Sequence, residues 1–123
     1  MTGPLAGYRV LELTTTVSGP MAAMMLADQG AEVIKIEPPM IGDSARYLGS
    51  RRGGVSAVFT VLNRNKQSVC LDLKDERQKE IFLSLVDTAD ALIENYRPGK
   101  MDALGLGWKT LSARNPRLVY AAI

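Results

Sequence analysis

Short runs of apolar and β-branched residues alternate with helical stretches along the whole chain. The run at 8–13 has a high apolar content on both faces, a pattern typical of a strand that is covered on both sides of a sheet, and the run at 31–36 predicts a second strand. Further short runs predict strands at 68–73, 91–94 and 118–123. Because strands and helices alternate, the pattern predicts an α/β domain with a mainly parallel sheet, right-handed crossovers and flanking helices.

The segment after the first strand predicts a helix that begins near Pro20 and ends at Gly30. Ser18 or Gly19 is expected to cap this helix, and Pro20 suits its first turn, where a missing N–H does little harm. The helix is apolar on nearly every face. We therefore expect it to be buried, with its three methionines in the core.

The clearest helical pattern lies at 75–89. Between Phe82 and Ala89, apolar residues recur at i, i+3, i+4 and i+7, which predicts one stripe facing the core. A shorter helix is predicted at 56–62. The segment 40–55 contains four glycines and three arginines, and we predict a long loop there. Loops of this length inside a compact domain are often functional.

Composition excludes several kinds of chemistry. The 123 residues include 15 Lys plus Arg and 13 Asp plus Glu, and the net charge of +2 gives no reason to expect a nucleic-acid or membrane partner. The absence of histidine rules out Ser-His-Asp triads, Cys-His dyads and histidine-bound zinc. The single cysteine, Cys70, rules out a disulfide framework and a four-thiolate metal site. We predict an inert core thiol in a reduced, cytoplasmic protein.

Polar and cationic side chains follow the predicted strands at their carboxyl ends. Ligands bind at this edge of an open α/β sheet, where segments 14–19, 37–55, 72–75 and 95–99 meet. Their hydroxyl, amide and cationic groups, together with Tyr96, suit a phosphorylated ligand that carries a flat ring. Neither the dinucleotide-binding nor the P-loop glycine motif is present. Two plainer interpretations stay open: an ordinary helix cap after the first strand, and a solvated surface for the arginines.

Five ordered blocks of the sequence resemble the family III CoA-transferases, which include formyl-CoA transferase, the carnitine CoA-transferases and α-methylacyl-CoA racemase. The blocks are GYRVLEL at 7–13 followed by SGP at 18–20, LADQGAEVIKIE at 26–37, NRNKQSVCLDLK at 63–74, ENYRPG at 94–99 with LGLG at 104–107, and NPRLVY at 115–120. Because they cover nearly the whole chain in the family's order, the chain is identified by resemblance as a member of this family.

The resemblance implies a Rossmann-like large domain, an interlocked homodimer, and movement of CoA between an acyl-CoA and a carboxylic acid. Residues 1–123 would form the N-terminal part of the CoA-binding domain, and the apolar run at 118–123 also leads us to expect that the enzyme continues beyond them. The family's catalytic aspartate lies further downstream and no residue here matches it. We therefore expect no metal and no turnover by the isolated chain.

By the same resemblance, nine positions of this chain would contact CoA. Tyr96 would cover the adenine or the pantetheine, Lys74 and Arg97 would face phosphates, and the backbone of 71–74 would read the adenine edge. The nine positions are Val17, Ser18, Leu71, Asp72, Leu73, Lys74, Asn95, Tyr96 and Arg97.

Three positions depart from the family pattern. Pro38 and Ala103 stand where relatives carry basic residues, so CoA affinity is expected to depend on the three arginines of the 40–55 segment. Val17 replaces a glutamine of formyl-CoA transferase, which argues against formyl or oxalyl specificity.

Two alternatives remain open for the function. The chain could be the N-terminal portion of an α-methylacyl-CoA racemase, or a CoA-binding and dimerising module with no chemistry of its own. The length of the segment before Asn63 favours the transferase. The sequence identifies neither the acyl group nor the acceptor acid.

Overall fold

The computed structural model describes residues 2–123 and confirms the predicted α/β class, with a parallel five-stranded sheet and flanking helices. No helix within 2–123 is long and apolar enough to cross a bilayer. In chain order the elements are β1 (Arg9–Leu13), α1 (Ser18–Asp28), β2 (Glu32–Glu37), a 3-10 helix (Ser44–Tyr47), β3 (Arg51–Arg52), β4 (Val55–Ser56), α2 (Ala57–Leu62), β5 (Lys66–Cys70), α3 (Glu76–Val86), β6 (Ala91–Glu94), α4 (Lys100–Ala103), α5 (Trp108–Arg114) and β7 (Val119–Ala122).

The five parallel strands lie in the order β5-β2-β1-β6-β7, while β3 and β4 form a separate antiparallel hairpin. β1 is central, and Leu11 lies opposite Ile34 of β2 and Leu92 of β6. The chain passes outward from β1 to β2 and β5, then returns to the other side of β1 for β6 and β7. The strand order therefore reverses between β1 and β6, and a ligand site is expected beyond the carboxyl ends of these two strands.

Apolar residues of β1 pack on both faces of the sheet. Leu11 and Leu13 lie in the larger core, together with Phe82 of α3. Val10 lies in a second core on the opposite face, together with Ala23 of α1. This burial on both sides explains why the strand is apolar apart from Arg9 at its start and Glu12.

Helix α1 differs from the prediction at its start and on its outer face. It begins at Ser18, so Val17 occupies the capping position and no side chain caps the helix. Met24 is buried, but Met21 and Met25 are 47% and 54% exposed. The prediction that all three methionines lie in the core is wrong, because small alanines of α1 pack against the sheet.

The third strand of the main sheet is displaced from its predicted position. β5 ends at Cys70, whereas the apolar pattern placed the strand at 68–73. Leu71 and Leu73 are buried, but they lie beyond the strand in the turn that leads to α3. Cys70 is exposed, so the prediction of a core thiol is wrong. The reason is that β5 is an edge strand and pairs only with β2.

The segment 40–55 is only partly a loop, since it contains the 3-10 helix and the β3–β4 hairpin. Asp43 caps the 3-10 helix, with its carboxylate accepting a hydrogen bond from the Ala45 N–H at 2.8 Å. Ser56 caps α2 by accepting from the Phe59 N–H at 3.2 Å. The short helix predicted at 56–62 is thus confirmed.

Candidate functional site

A groove lies at the carboxyl edge of the sheet, close to the point where the strand order reverses. One wall is the turn after β5, and the other wall is the segment from the end of β6 to α4. The groove encloses about 80 Å3 of free space. Its lining residues are Ile36, Pro38, Leu71, Asp72, Leu73, Lys74, Tyr96, Lys100 and Leu104.

The turn after β5 offers its backbone, and one exposed cation, to the groove. The Leu71 N–H donates to the Glu37 carbonyl at 3.0 Å, which ties the turn to β2. The Asp72 carboxylate accepts from the Lys74 N–H at 3.0 Å, so its charge is directed at its own turn. Leu71 and Leu73 send their side chains into the core, while Lys74 is exposed. The N–H groups of Leu71, Asp72 and Lys74 are bonded within the protein, so the turn offers a ligand its remaining peptide groups and the Lys74 ammonium.

The opposite wall carries a flat ring with a cation over it. The Tyr96 ring is partly buried against the core, and the Lys100 ammonium lies 4.4 Å from the ring centroid. The Tyr96 N–H donates to the Glu94 carboxylate at 2.8 Å, which fixes the backbone there. Burial, and secondarily the charge of Glu94, raises the pKa of the Tyr96 phenol, so the phenol is neutral at physiological pH. Such a wall can support a planar group and attract an anion.

Asn95 joins the loops that leave β1 and β6. Its side-chain carbonyl accepts from the Thr15 N–H at 3.1 Å, and its side-chain NH2 donates to the Thr15 carbonyl at 2.9 Å. This bridge connects the β1–α1 loop to the segment that carries Tyr96. Val17 and Ser18 follow on the same loop and are exposed, but they do not line the groove.

Arg97 lies in a second hollow of about 540 Å3 beside the groove. Glu94, Trp108 and Tyr120 also line this hollow. The Lys100 N–H donates to the Arg97 carbonyl at 3.0 Å. This single turn of the chain places Lys100 in the groove and Arg97 in the second hollow. The two hollows share this turn as their common wall.

The arginines of the 40–55 segment do not reach the groove. Arg46 makes two hydrogen bonds to the Glu37 carboxylate, at 2.8 and 2.7 Å, and its guanidinium lies 3.8 Å from the centroid of the Phe59 ring. Arg51 and Arg52 lie on β3 and line a different hollow. The cations that line the groove itself are Lys74 and Lys100.

A buried cluster of four charged side chains lies beneath the carboxyl edge. Lys35 pairs with Glu12 at 2.9 Å and with Asp43 at 2.7 Å, and Lys66 pairs with Glu12 at 2.8 Å. All four side chains are at most 2% exposed. Two carboxylates and two ammonium groups give the cluster no net charge, which is what allows it to be buried. Burial lowers the pKa of Lys66, and the charge of Glu12 opposes that change.

Glu37 lies beside this cluster and has a strongly perturbed pKa. Burial disfavours its charged form, but hydrogen bonds from Arg46, the Asp43 N–H and Ser68 outweigh burial and lower the pKa from 4.5 to about 2. Glu37 is therefore ionised at neutral pH, and it attaches the 40–55 segment to the end of β2.

Comparison with known proteins identifies the family. Residues 5–123 match the profile of CoA-transferase family III. The chain belongs to this family. It is 48% identical over 120 residues to the acetyl-CoA:oxalate CoA-transferase of Acetobacter aceti. The matched region covers 98% of this chain and 31% of that relative. It is 40% identical over 121 residues to the succinyl-CoA:glutarate CoA-transferase of Homo sapiens, covering 98% of this chain and 28% of the relative.

Solved structures of the same family share the fold. The crystal structure of Rv3272 from Mycobacterium tuberculosis superposes with a TM-score of 0.90 at 47% identity, covering 98% of this chain and 34% of that one. A CAIB/BAIF family protein from Brucella suis gives a TM-score of 0.91 at 38% identity, covering 99% of this chain and 33% of that one. This chain thus spans about a third of the length of the family III proteins that it matches.

The structure of this family III CoA-transferase chain brings together five of the nine positions expected from the resemblance. Leu71, Asp72, Leu73, Lys74 and Tyr96 line one groove, whereas Val17, Ser18, Asn95 and Arg97 lie outside it. Lys100 also lines the groove. Its place just beyond segment 95–99 put it among the cations expected at this edge of the sheet, although it is not one of the nine positions implied by the resemblance.

Proposed function

We propose that this chain is the N-terminal, CoA-binding portion of a family III CoA-transferase that moves CoA between an acyl-CoA and a carboxylic acid. Family membership supports the proposal, as do relatives named as CoA-transferases that act on acetyl-CoA and oxalate or on succinyl-CoA and glutarate. The single observation that carries it is the groove at the carboxyl edge, where the turn at 71–74 faces Tyr96 and Lys100.

The groove suits the nucleotide end of CoA. Peptide groups of the turn at 71–74 can pair with the edge of the adenine, because the side chains of Leu71 and Leu73 are packed in the core. The Tyr96 ring offers a face for the base or the pantetheine chain. Lys74 and Lys100 in the groove, and Arg97 in the adjoining hollow, supply cations for the phosphates. Val17 and Ser18 would contact the ligand from the β1–α1 loop.

The chemistry requires a carboxylate that attacks the thioester carbonyl. The C–S bond breaks, CoA leaves as the thiolate, and the acyl group is held as a mixed anhydride with the enzyme carboxylate. The thiolate then attacks the enzyme carbonyl of this anhydride, which releases the donor acid and leaves a thioester between the enzyme and CoA. The acceptor carboxylate attacks that thioester to form a second mixed anhydride, and attack of the freed thiolate on the acceptor carbonyl gives the new acyl-CoA and restores the enzyme carboxylate. Glu12, Glu37 and Asp43 are each occupied by a buried cation or a bidentate arginine. The resemblance assigns the attacking aspartate to a later part of the enzyme. We therefore propose that residues 1–123 bind CoA and do not turn it over.

CoA binding by the chain tests the proposal directly. We expect isothermal titration with CoA to give saturable binding, and Lys74→Ala and Lys100→Ala each to weaken it about three- to tenfold, in line with the loss of one charge-assisted contact. Arg117→Ala is the matched control, because Arg117 is exposed and precedes β7 at the opposite edge of the sheet. Absence of CoA binding, or equal loss in the control, would contradict the proposal. Exchange of CoA between an acyl-CoA and a carboxylate by this chain alone would contradict the assignment of turnover elsewhere.

We further propose that the chain assembles as a homodimer in the cytoplasm. Met21 and Met25 on α1 and Val61 on α2 are each about half exposed, and covering such apolar surface is worth about 25 cal/mol per Å2. We expect sedimentation equilibrium to show a dimer that Met21→Glu weakens, while Ile81→Glu on the exposed face of α3 leaves it intact. Sedimentation as a monomer at high concentration would refute the dimer.

A further inference from the structure

Thr16, in the loop between β1 and α1, has an unusual backbone conformation. Its φ is +75°, in the left-handed region. Within residues 2–123 only Met40 and Asn65 share a positive φ among the residues that are not glycine. A β-branched residue rarely adopts this conformation, because its side chain crowds the backbone. Strain of this kind persists only where the surroundings impose it, and it concentrates at functional sites.

Asp43 contacts the backbone of Thr16 directly. One of its carboxylate oxygens, Oδ1, accepts from the Thr16 N–H at 2.9 Å and from the Ala45 N–H at 2.8 Å. The other oxygen, Oδ2, lies 2.7 Å from the Lys35 ammonium. Asp43 is fully buried, so none of these contacts is exchanged for water. The Thr16 hydroxyl adds a further contact, 3.0 Å from the Ser44 hydroxyl.

The contacts of Asp43 require a carboxylate. Oδ1 accepts from two backbone N–H groups, and Oδ2 forms an ion pair with the Lys35 ammonium group. An asparagine side chain has one oxygen. At this position that oxygen can face either the backbone N–H groups of the loop or the Lys35 ammonium, and the NH2 group must then face the other donor. The buried charge cluster and the strained loop are therefore connected through one side chain.

The neighbouring residues leave the loop little freedom. The Thr14 carbonyl accepts from the Lys35 ammonium at 2.9 Å, and Thr15 is held by both ends of the Asn95 amide. Gly19 lies so close to the end of β1 that a Cβ atom there would be 2.3 Å from the Thr14 Cβ. The direction in which the chain enters α1 is thus set by contacts from β2, from the segment after β2 and from the segment after β6.

We propose that Asp43 is a positioning residue that holds Thr16 in the left-handed conformation and thereby orients Val17 and Ser18 for binding of CoA. The proposal rests on the proposed function, because the ligand it names is CoA. Asp43 itself is buried and acts through the loop. Without this constraint the loop samples other conformations. The apparent dissociation constant for CoA then equals the intrinsic constant divided by the fraction of molecules whose loop is in the binding conformation.

Proline and asparagine at position 16 separate positioning from folding. Thr16→Pro removes the N–H that donates to Asp43 and fixes φ at about −65°, so the loop loses the left-handed conformation while the buried charge cluster keeps all its side chains. Thr16→Asn is the rescue variant, because asparagine tolerates the left-handed region and keeps a polar side chain. Asp43→Asn tests the carboxylate directly. Asn65→Gly is the matched control. Asn65 also has a positive φ, of 64°, but it precedes β5 and so lies at the amino ends of the parallel strands, away from the groove.

The experiment measures CoA affinity by titration calorimetry and amide hydrogen exchange of segment 14–20, both on the full chain. We expect Thr16→Pro and Asp43→Asn to raise the dissociation constant at least about tenfold, as for a loop that is competent at most one tenth of the time, and to speed exchange of the segment. Thr16→Asn and Asn65→Gly should match the parent chain, and Thr16→Pro should still unfold cooperatively because Thr16 is exposed.

Two results decide between this inference and the proposed function. If the parent chain binds CoA and Thr16→Pro binds it equally well, the positioning role is wrong and the proposed function stands. If the parent chain does not bind CoA, the proposed function fails, and unchanged exchange of segment 14–20 in Thr16→Pro and Asp43→Asn would overturn the role of Asp43 as well.

Discussion

The pair formed by Glu37 and Arg46 predicts how the protein responds to acid. The pKa of Glu37 is lowered from 4.5 to about 2, and each pKa unit corresponds to about 1.4 kcal/mol. Because the pKa is lower in the folded state, ionised Glu37 stabilises the fold at pH values above 4.5, by about 3 kcal/mol. That stabilisation is lost as the pH falls towards 2, and about 2 kcal/mol of it is gone at pH 3.

Urea unfolding at several pH values measures this effect. We expect the free energy of unfolding of the parent chain to fall from pH 7 to pH 3 more steeply than that of Glu37→Gln. The variant should be about 2–3 kcal/mol less stable at pH 7, because a neutral amide loses the bidentate arginine and leaves buried donors with a weaker partner. The two proteins should converge in stability as the pH approaches 2.

The control is Glu76→Gln, which changes a carboxylate that is 84% exposed on α3. Exposed pairs contribute little to stability, so this variant should follow the parent chain at every pH. If Glu37→Gln shows the same pH dependence as the parent chain between pH 7 and pH 3, then Glu37 is not preferentially ionised in the folded state. The reasoning about the attachment of the 40–55 segment would then be refuted.

Two further predictions concern the fold around the site. Gly42→Ala should destabilise the protein by more than 1 kcal/mol in thermal unfolding, because Gly42 has φ +66° and a Cβ there would lie 2.5 Å from the Glu37 Oε2 atom. Gly53→Ala, with φ +57° and no atom within 4 Å of the added Cβ, carries only the backbone penalty and should cost less; equal losses would contradict the close contact. Phe82→Ala should cost about 3–5 kcal/mol in urea unfolding, since Phe82 is fully buried in the larger core. A loss below 1 kcal/mol would show that the core is built differently.

The apolar pattern of the sequence determined the central strands and the main helix. β1 and β2 are recognisable because both of their faces are buried, and α3 because its core-facing stripe repeats with the helical period. The segments at 72–75 and 95–99 were predicted to follow strands, so Lys74 and Tyr96 could be assigned to one edge before their contacts were known, although the strand before Lys74 was placed too far along the chain. These features follow from neighbours only a few residues apart along the chain.

The tertiary structure decided which polar residues are buried and what they contact. Lys35 is 1% exposed, although a lysine within a strand is ordinarily a surface residue, because Glu12 and Asp43 reach it from β1 and from the segment after β2. Cys70 is exposed because the strand order leaves β5 at the edge of the sheet. A buried charge depends on partners brought together from distant parts of the chain, and no local periodicity records those partners. The left-handed Thr16, which depends on Asp43 from 27 residues away, has the same origin.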